Sequence, residues 1–271
     1  MSNSYELLVL DVDGTLIGRG AYPSQRVIRA IHQAKEKGIR IALGTGRASE
    51  ACYHLLRMLG LDGLHIFFDG AAVVDWPSND IIFLHALPPH ASQHLVQLAR
   101  EYDLFLEIYA HDFYFIEKET DLARQQQEKL QINPLITNLM SLTDRIKIVK
   151  GQLLATTEDE KQSVEIISQE MENHCQMSWS FDSSNGIYFI NAVARVVSKG
   201  QALRDMADYL NIEPNHIMAV GDSFNDMPTF EAAGFSVAMG NAPPTLKAQA
   251  DWVAPSVEED GVAIAIEQLL L

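Results

Sequence analysis

Two aspartates one residue apart, Asp11 and Asp13, end the apolar run Leu7–Leu10. Carboxylates carried inward on such a run lose hydration and repel each other. Their pairing therefore asks for counter-charge, or for a reaction that needs both. Residues i and i+2 of extended chain face the same way, so the two carboxylates are expected close together if that geometry persists into Gly14-Thr15. Three more polar groups stand at comparable places. Thr45, Gly46 and Arg47 follow the run "IRIAL", Ser198-Lys199-Gly200 opens a helical pattern, and Gly221, Asp222, Ser223, Asn225 and Asp226 follow "IMAV".

Three or four carboxylates in one cleft are hard oxygen ligands that suit Mg²⁺, an ion that takes one or two carboxylates together with phosphate oxygens. Lys199 adds positive charge. Thr45 adds a hydroxyl, and the turns at Gly46 and Lys199 offer backbone N–H groups to an anion. The composite is a phosphate-binding site with its own metal. Two carboxylates then have two tasks: one attacks phosphorus and becomes an aspartyl phosphate, while the other protonates the departing oxygen and later activates water.

The elements that must position these groups are legible in the pattern. Short apolar strands (Leu7–Leu10, Ile39–Leu43, His65–Phe68) alternate with amphipathic helices, one from Ser24 to Gly38 with Val27, Ile28, Ile31 and Ala34 on one face. Such alternation predicts parallel βαβ units, whose ligands bind beyond the carboxyl ends of the strands. From residue 85 to 187 the order changes to hairpin-like strand pairs mixed with helices, including a pair around Ala110-His111-Asp112. The βα alternation resumes at Lys199. The expectation is an α/β protein: a Rossmann-like, doubly wound parallel-sheet core (1–84 and 188–271) with an inserted α+β domain (85–187).

The set "DVDGT" at 11–15, "GTGR" at 44–47, "SKG" at 198–200 and "GDSFND" at 221–226 resembles the haloacid dehalogenase (HAD) superfamily. The insertion and "EDGVAIAI" near the C-terminus resemble its Cof-like branch of Mg²⁺-dependent phosphatases with a large α/β cap. The resemblance implies Asp11 as nucleophile and Asp13 as general acid and base. It implies Thr45, Gly46 and Lys199 as phosphoryl binders. Asp222 would be a metal ligand with Asp11 and the backbone carbonyl of Asp13. Asn225 and Asp226 would orient Lys199 and the metal's waters, with Ser223 and Arg47 in support. Two departures stand out: Asp69-Gly70-Ala71 replaces the usual Asn-Gly-Ala, and "NAVARVVSKG" precedes Lys199, which suggests Arg195 as a contact for the leaving group.

The implied activity is hydrolysis of a small phosphorylated metabolite such as a sugar phosphate. A phosphomutase using the same aspartyl phosphate, or a silent phosphate-ester binder, are the alternatives. Dehalogenation is disfavoured, because it needs neither Mg²⁺ nor the second aspartate.

A formal charge of −16 over 271 residues disfavours nucleic acid and anionic lipid as partners. No run approaches a membrane span and the N-terminus does not read as a signal peptide, so a soluble cytoplasmic protein is expected. Oligomeric state is not legible. Cys52 and Cys175 read as buried thiols. His90 and His94, at i and i+4, could clamp a metal, but the sequence places no further ligand beside them. Tyr109, Phe113, Tyr114 and Phe115 read as sheet core.

Overall fold

Leu7–Leu10 form the first strand, β1, and all four residues are buried. The computed structural model describes residues 5–20, 22–111, 113–130, 132–182 and 185–271. In chain order the first elements are α1 (Gln25–Glu36), β2 (Arg40–Leu43), α2 (Tyr53–Leu59), β3 (Gly63–Phe67), β4 (Ala72–Trp76) and β5 (Asp80–Leu84). There follow α3 (Pro89–Glu101), β6 (Phe105–Tyr109), β7 (Tyr114–Ile116), α4 (Asp121–Leu130), β8 (Leu135–Ile136), β9 (Lys150–Ala155), α5 (Glu158–Met171), β10 (Gln176–Asp182) and β11 (Ile187–Val193). The last are α6 (Lys199–Leu210), β12 (Ile217–Gly221), α7 (Met227–Ala232), β13 (Phe235–Ala238), α8 (Pro244–Lys247), β14 (Trp252–Val253) and α9 (Gly261–Leu269).

The chain divides into two units. The first comprises residues 1–47, 52–83 and 198–271, the second 48–51 and 84–197. The return to the first unit therefore falls at Val197/Ser198 rather than at 187/188. The reason is β11, which pairs antiparallel with both β10 and β9 and so belongs to the second unit's sheet.

In the first unit a parallel sheet runs in the order β14-β13-β12-β1-β2. β1 lies between β12 and β2, so the residues just after these three strands emerge side by side. Helix α1 starts where the Ser24 side chain accepts from Val27 N–H at 3.2 Å, and it buries Val27, Ala30, Ile31 and Ala34; Ala30 rather than Ile28 completes the stripe. Helix α6 starts the same way, with Ser198 accepting from Gln201 N–H at 3.0 Å. Its Ala202, Leu203 and Met206 pack with Leu7, Val9 and Ala42 of the sheet. Burial of each such Leu or Met side chain contributes about 1.5–3 kcal/mol. The expected strand at His65–Phe68 is β3, but it does not extend the main sheet as a full parallel strand. It pairs antiparallel with β4 in a separate sheet ordered β3-β4-β5, joined to the main one by the Gly44–Ile66 bridge and by the bond from Thr45 N–H to Ile66 O at 3.0 Å.

The second unit holds a six-stranded sheet ordered β10-β11-β9-β6-β7-β8, antiparallel except for β7 and β8. Period-2 alternation sends Leu106, Ile108, Leu153 and Ile190 into one core with Leu95 and Val96 of α3 and Val164, Ile167 and Met171 of α5. Glu107, Lys150 and Gln152 alternate with them and are buried as well, which the reading of this region as an apolar sheet core did not anticipate. Tyr109, Tyr114 and Phe115 are buried as expected, whereas Phe113 is exposed. Asp112 of the expected hairpin lies outside the described residues. Among the described residues no helix is long and apolar enough to cross a membrane.

Candidate active site

Asp11 leaves the end of β1 with its backbone N–H bound to Val220 O at 3.0 Å, so the chain is still in sheet register there. One residue later it turns. Leu16 and Ile17 N–H both donate to Val12 O at 2.9 Å. The two aspartates are held by different partners: Asp11 by Lys199, and Asp13 by a two-pronged ion pair with Arg47, whose Nε and Nη2 lie 2.8 and 2.6 Å from its oxygens. Burial works against the Arg47 charge, and Asp13 more than offsets it, holding the guanidinium above its ordinary value.

The carboxylates that do gather are those of Asp11, Asp222 and Asp226. Each offers an oxygen, and the three oxygens lie within 4.8 Å of one another. Lys199 answers this crowding. Its Nζ donates to Asp11 Oδ1 and to Asp226 Oδ1, both at 2.7 Å, and the residue is only 2% exposed. Burial alone would lower its pKa; Asp11, Asp226 and Asp69 outweigh that and hold it above its ordinary value. One lysine does not neutralise three carboxylates. Burial, followed by Asp226 and Asp222, leaves the Asp11 carboxyl well above its usual range despite Lys199. Burial and Asp226 push the Asp222 carboxyl up to about 7.

Asp226 works with both oxygens. Oδ1 holds Lys199, and Oδ2 accepts from the backbone N–H of Asp222 and of Ser223, each at 3.0 Å, which fixes the turn after β12. Ser223 Oγ donates to Asn225 Oδ1 at 2.5 Å. Asn225 Nδ2 donates to Asp69 Oδ1 at 3.1 Å, so the aspartate that departs from the usual Asn still serves as an acceptor here. Its other oxygen, Oδ2, is buried with no hydrogen-bond partner among the described residues. Asp69 sits at φ 57°, in the left-handed region that Asn and Asp tolerate better than most residues. Gly46 lies against it: a Cβ at that position would come within 2.8 Å of Asp69 Oδ1. Thr45 is buried, and its Oγ1 accepts from Arg47 N–H at 3.1 Å. Arg195 belongs to the second unit. It donates to Asn173 O at 3.4 Å and lines a surface groove there with Glu172 and Trp179.

Two further residues support the cluster without having been singled out. Asn241 Nδ2 donates to Asp222 Oδ2 at 3.0 Å and to Gly14 O at 2.9 Å, tying the turns after β12 and β1 together. Thr15 Oγ1 reaches Asp222 Oδ1 at 3.4 Å. Asn241 stands just beyond β13, so the rule that sent attention to the carboxyl ends of parallel strands reaches it too. Gly14 completes the fit. Its φ of +84° suits glycine, and a Cβ there would stand 2.1 Å from Asp222 Oδ2.

A group of oxygen donors that resists full ionisation on its own matches the needs of a hard divalent cation, and Mg²⁺ fits it. Such a cation would be held by Asp11 and Asp222, with Asp226 within reach.

Comparison with known proteins accords with this geometry. The 5-amino-6-(5-phospho-D-ribitylamino)uracil phosphatase YwtE of Bacillus subtilis is 26% identical over 97% of this chain and 97% of its own length. The pyridoxal phosphate phosphatase YbhA of Escherichia coli is 25% identical over 95% of this chain and 96% of its own. A crystal structure of a haloacid dehalogenase-like hydrolase from Bacteroides thetaiotaomicron superposes with a TM-score of 0.86 at 25% identity, covering 98% of this chain and 100% of that one. The sequence profile of the haloacid dehalogenase-like hydrolases matches residues 8–266, which include every strand of the parallel sheet in whole or in part and all four motifs at its carboxyl edge, and the chain belongs to that family.

Proposed function

We propose that this protein is an Mg²⁺-dependent phosphomonoesterase that hydrolyses a small phosphorylated metabolite through an aspartyl phosphate on Asp11. The observation that carries the reading is the buried Lys199 held between Asp11 and Asp226, with Asp222 beside them. A buried ammonium among carboxylates stabilises the anionic state of a nucleophile and the charge of an arriving phosphoryl group. Family membership supports hydrolysis, and the names of YwtE and YbhA attach phosphatase activity to relatives that match this chain over nearly its whole length.

The chemistry follows from the side chains. An Asp11 oxygen attacks phosphorus and the bond from phosphorus to the ester oxygen breaks. Asp13 delivers its proton to that oxygen, and the alcohol departs. Asp13, now a carboxylate, takes a proton from water; the water oxygen attacks phosphorus, the acyl phosphate opens, and phosphate leaves with Asp11 restored. Arg47 holds the Asp13 carboxylate in one orientation and must yield as the proton arrives. Thr45 and the backbone at Gly46 bind phosphoryl oxygens, while Asn225, Ser223 and Asp226 keep Lys199 and Asp222 in place. The cation supplies the positive charge that lets a phosphate dianion approach these carboxylates. The second unit, in this reading, is the cap that selects the leaving group.

Assay against a panel of phosphate esters tests the proposal. Chelation with EDTA should abolish phosphate release and Mg²⁺ should restore it, with Ca²⁺ a poor substitute. Full turnover in metal-free buffer contradicts it, and so does tight ester binding with no product.

A further inference from the structure

The pair His90 and His94 gains a third member in the folded chain. His174, in the turn after α5, stands with its ring 5.7 Å from that of His90 and 5.2 Å from that of His94, at interplanar angles of 67° and 89°. Glu170, near the end of α5, places Oε2 3.9 Å from His94 Nε2. Helix α3 supplies two imidazoles one turn apart on the same face, the end of α5 supplies the carboxylate, and the turn after it supplies the third imidazole.

We infer that His90, His94, His174 and Glu170 form a surface site for a divalent transition ion, Zn²⁺ by ligand chemistry. Three imidazole nitrogens and one carboxylate oxygen are a four-coordinate set of the kind this ion takes, and they do not suit Mg²⁺. The spacing agrees. At a metal–nitrogen distance of about 2.0–2.1 Å, imidazole ring centres stand roughly 3.2 Å from the ion, and two of them at the tetrahedral angle are about 5.2 Å apart. The His94–His174 and His90–His174 ring separations of 5.2 and 5.7 Å are close to that value. Rotation of partly exposed side chains, a fast motion, is what remains to aim the nitrogens. A bound ion would staple the first turns of α3 to the end of α5 within the second unit. All four residues lie in that unit, whereas Asp11, Asp222 and Asp226 lie in the first. The site is therefore separate from the one proposed for phosphate chemistry.

Calorimetric titration of the full chain with Zn²⁺, in excess Mg²⁺ to saturate the carboxylates, tests this. The expected result is one equivalent bound with a dissociation constant in the micromolar range or tighter, accompanied by a rise in Tm. His94→Ala and His174→Ala should each weaken binding by more than the roughly 10–100-fold typical of losing a supporting partner, and Glu170→Gln by less. Co²⁺ in place of Zn²⁺ should give visible absorption of four-coordinate strength in the wild type and not in His94→Ala. Far-UV circular dichroism of the variants should match the wild type, because these side chains are at most half-buried or lie on the surface. Absence of saturable Zn²⁺ binding, or equal binding by the wild type and both alanine variants, would overturn the assignment and leave the three rings as an aromatic contact only.

Discussion

Lys199 Nζ stands 2.7 Å from Asp11 Oδ1, and the lysine side chain is almost wholly out of contact with solvent. A charge there is tolerable only because the carboxylates of Asp11 and Asp226 hold it, and the carboxylates are tolerable only because of the lysine. Lys199→Met removes one side of that balance. Breaking such a buried pair costs about 3–5 kcal/mol. Urea unfolding of the variant without metal should show a loss of that order, and ester hydrolysis should be lost with it. A variant as stable as the wild type would contradict the pairing as described.

Asn241 makes a different prediction, because it touches Asp222 and the Gly14 carbonyl but neither Asp11 nor Lys199 in the hydrogen bonds described. Asn241→Ala should loosen the metal-holding carboxylate and spare the nucleophile. The Mg²⁺ concentration for half-maximal activity should rise about 10–100-fold, with a smaller change in kcat at saturating metal. An unchanged Mg²⁺ dependence would show that Asp222 is oriented without it.

His65, in β3, is fully buried, with Nδ1 accepting from Leu43 N–H at 3.1 Å and Nε2 without a partner among the described residues. Burial pushes its pKa down to about 3. The unfolded chain takes up a proton near the ordinary value of about 6.5 and the folded chain does not. Between those values the unfolded state binds more protons, so this residue's contribution to stability is full above about pH 6.5 and is lost as pH falls toward 3. His65→Asn keeps an acceptor for Leu43 and removes the titration. Across that window the difference in unfolding free energy between wild type and variant should change by up to about 1.4 kcal/mol per pH unit. A difference independent of pH would mean that the imidazole titrates alike in both states.

Much of this protein could be read before it was seen folded. Strands β1 and β12 were placed to within a residue, because four or five buried apolar residues bounded by polar turns admit few other structures. The order of motifs at the carboxyl edge followed from the same strands. What could not be read is which partner each group takes. Asp13 pairs with Arg47, and nothing in "DVDGT" announces that partner. Period-2 alternation held along β6 and β9 but did not reveal that Glu107 and Lys150 would be buried, since burial of a polar row depends on what covers it. β3 was legible as a strand, yet its partner was set by β4, which follows it in antiparallel register. Asn241 was missed for lack of a charge, and His174 for its distance in sequence from His90 and His94.

The central claim is that Asp11 forms the bond to phosphorus and Asp13 moves the protons. Asp11→Asn should be inactive towards every ester. Asp13→Asn should lose about 10²–10⁴-fold on alkyl or sugar phosphates, yet still be phosphorylated by an activated aryl phosphate, and the intermediate should persist because the base for water is gone. The most direct measurement is rapid acid quenching of Asp13→Asn with an aryl phosphate, followed by peptide mapping of the trapped phosphoenzyme. The account predicts phosphate on Asp11. Phosphate on any other residue, or sugar-phosphate turnover by Asp11→Asn at the wild-type rate, would contradict it.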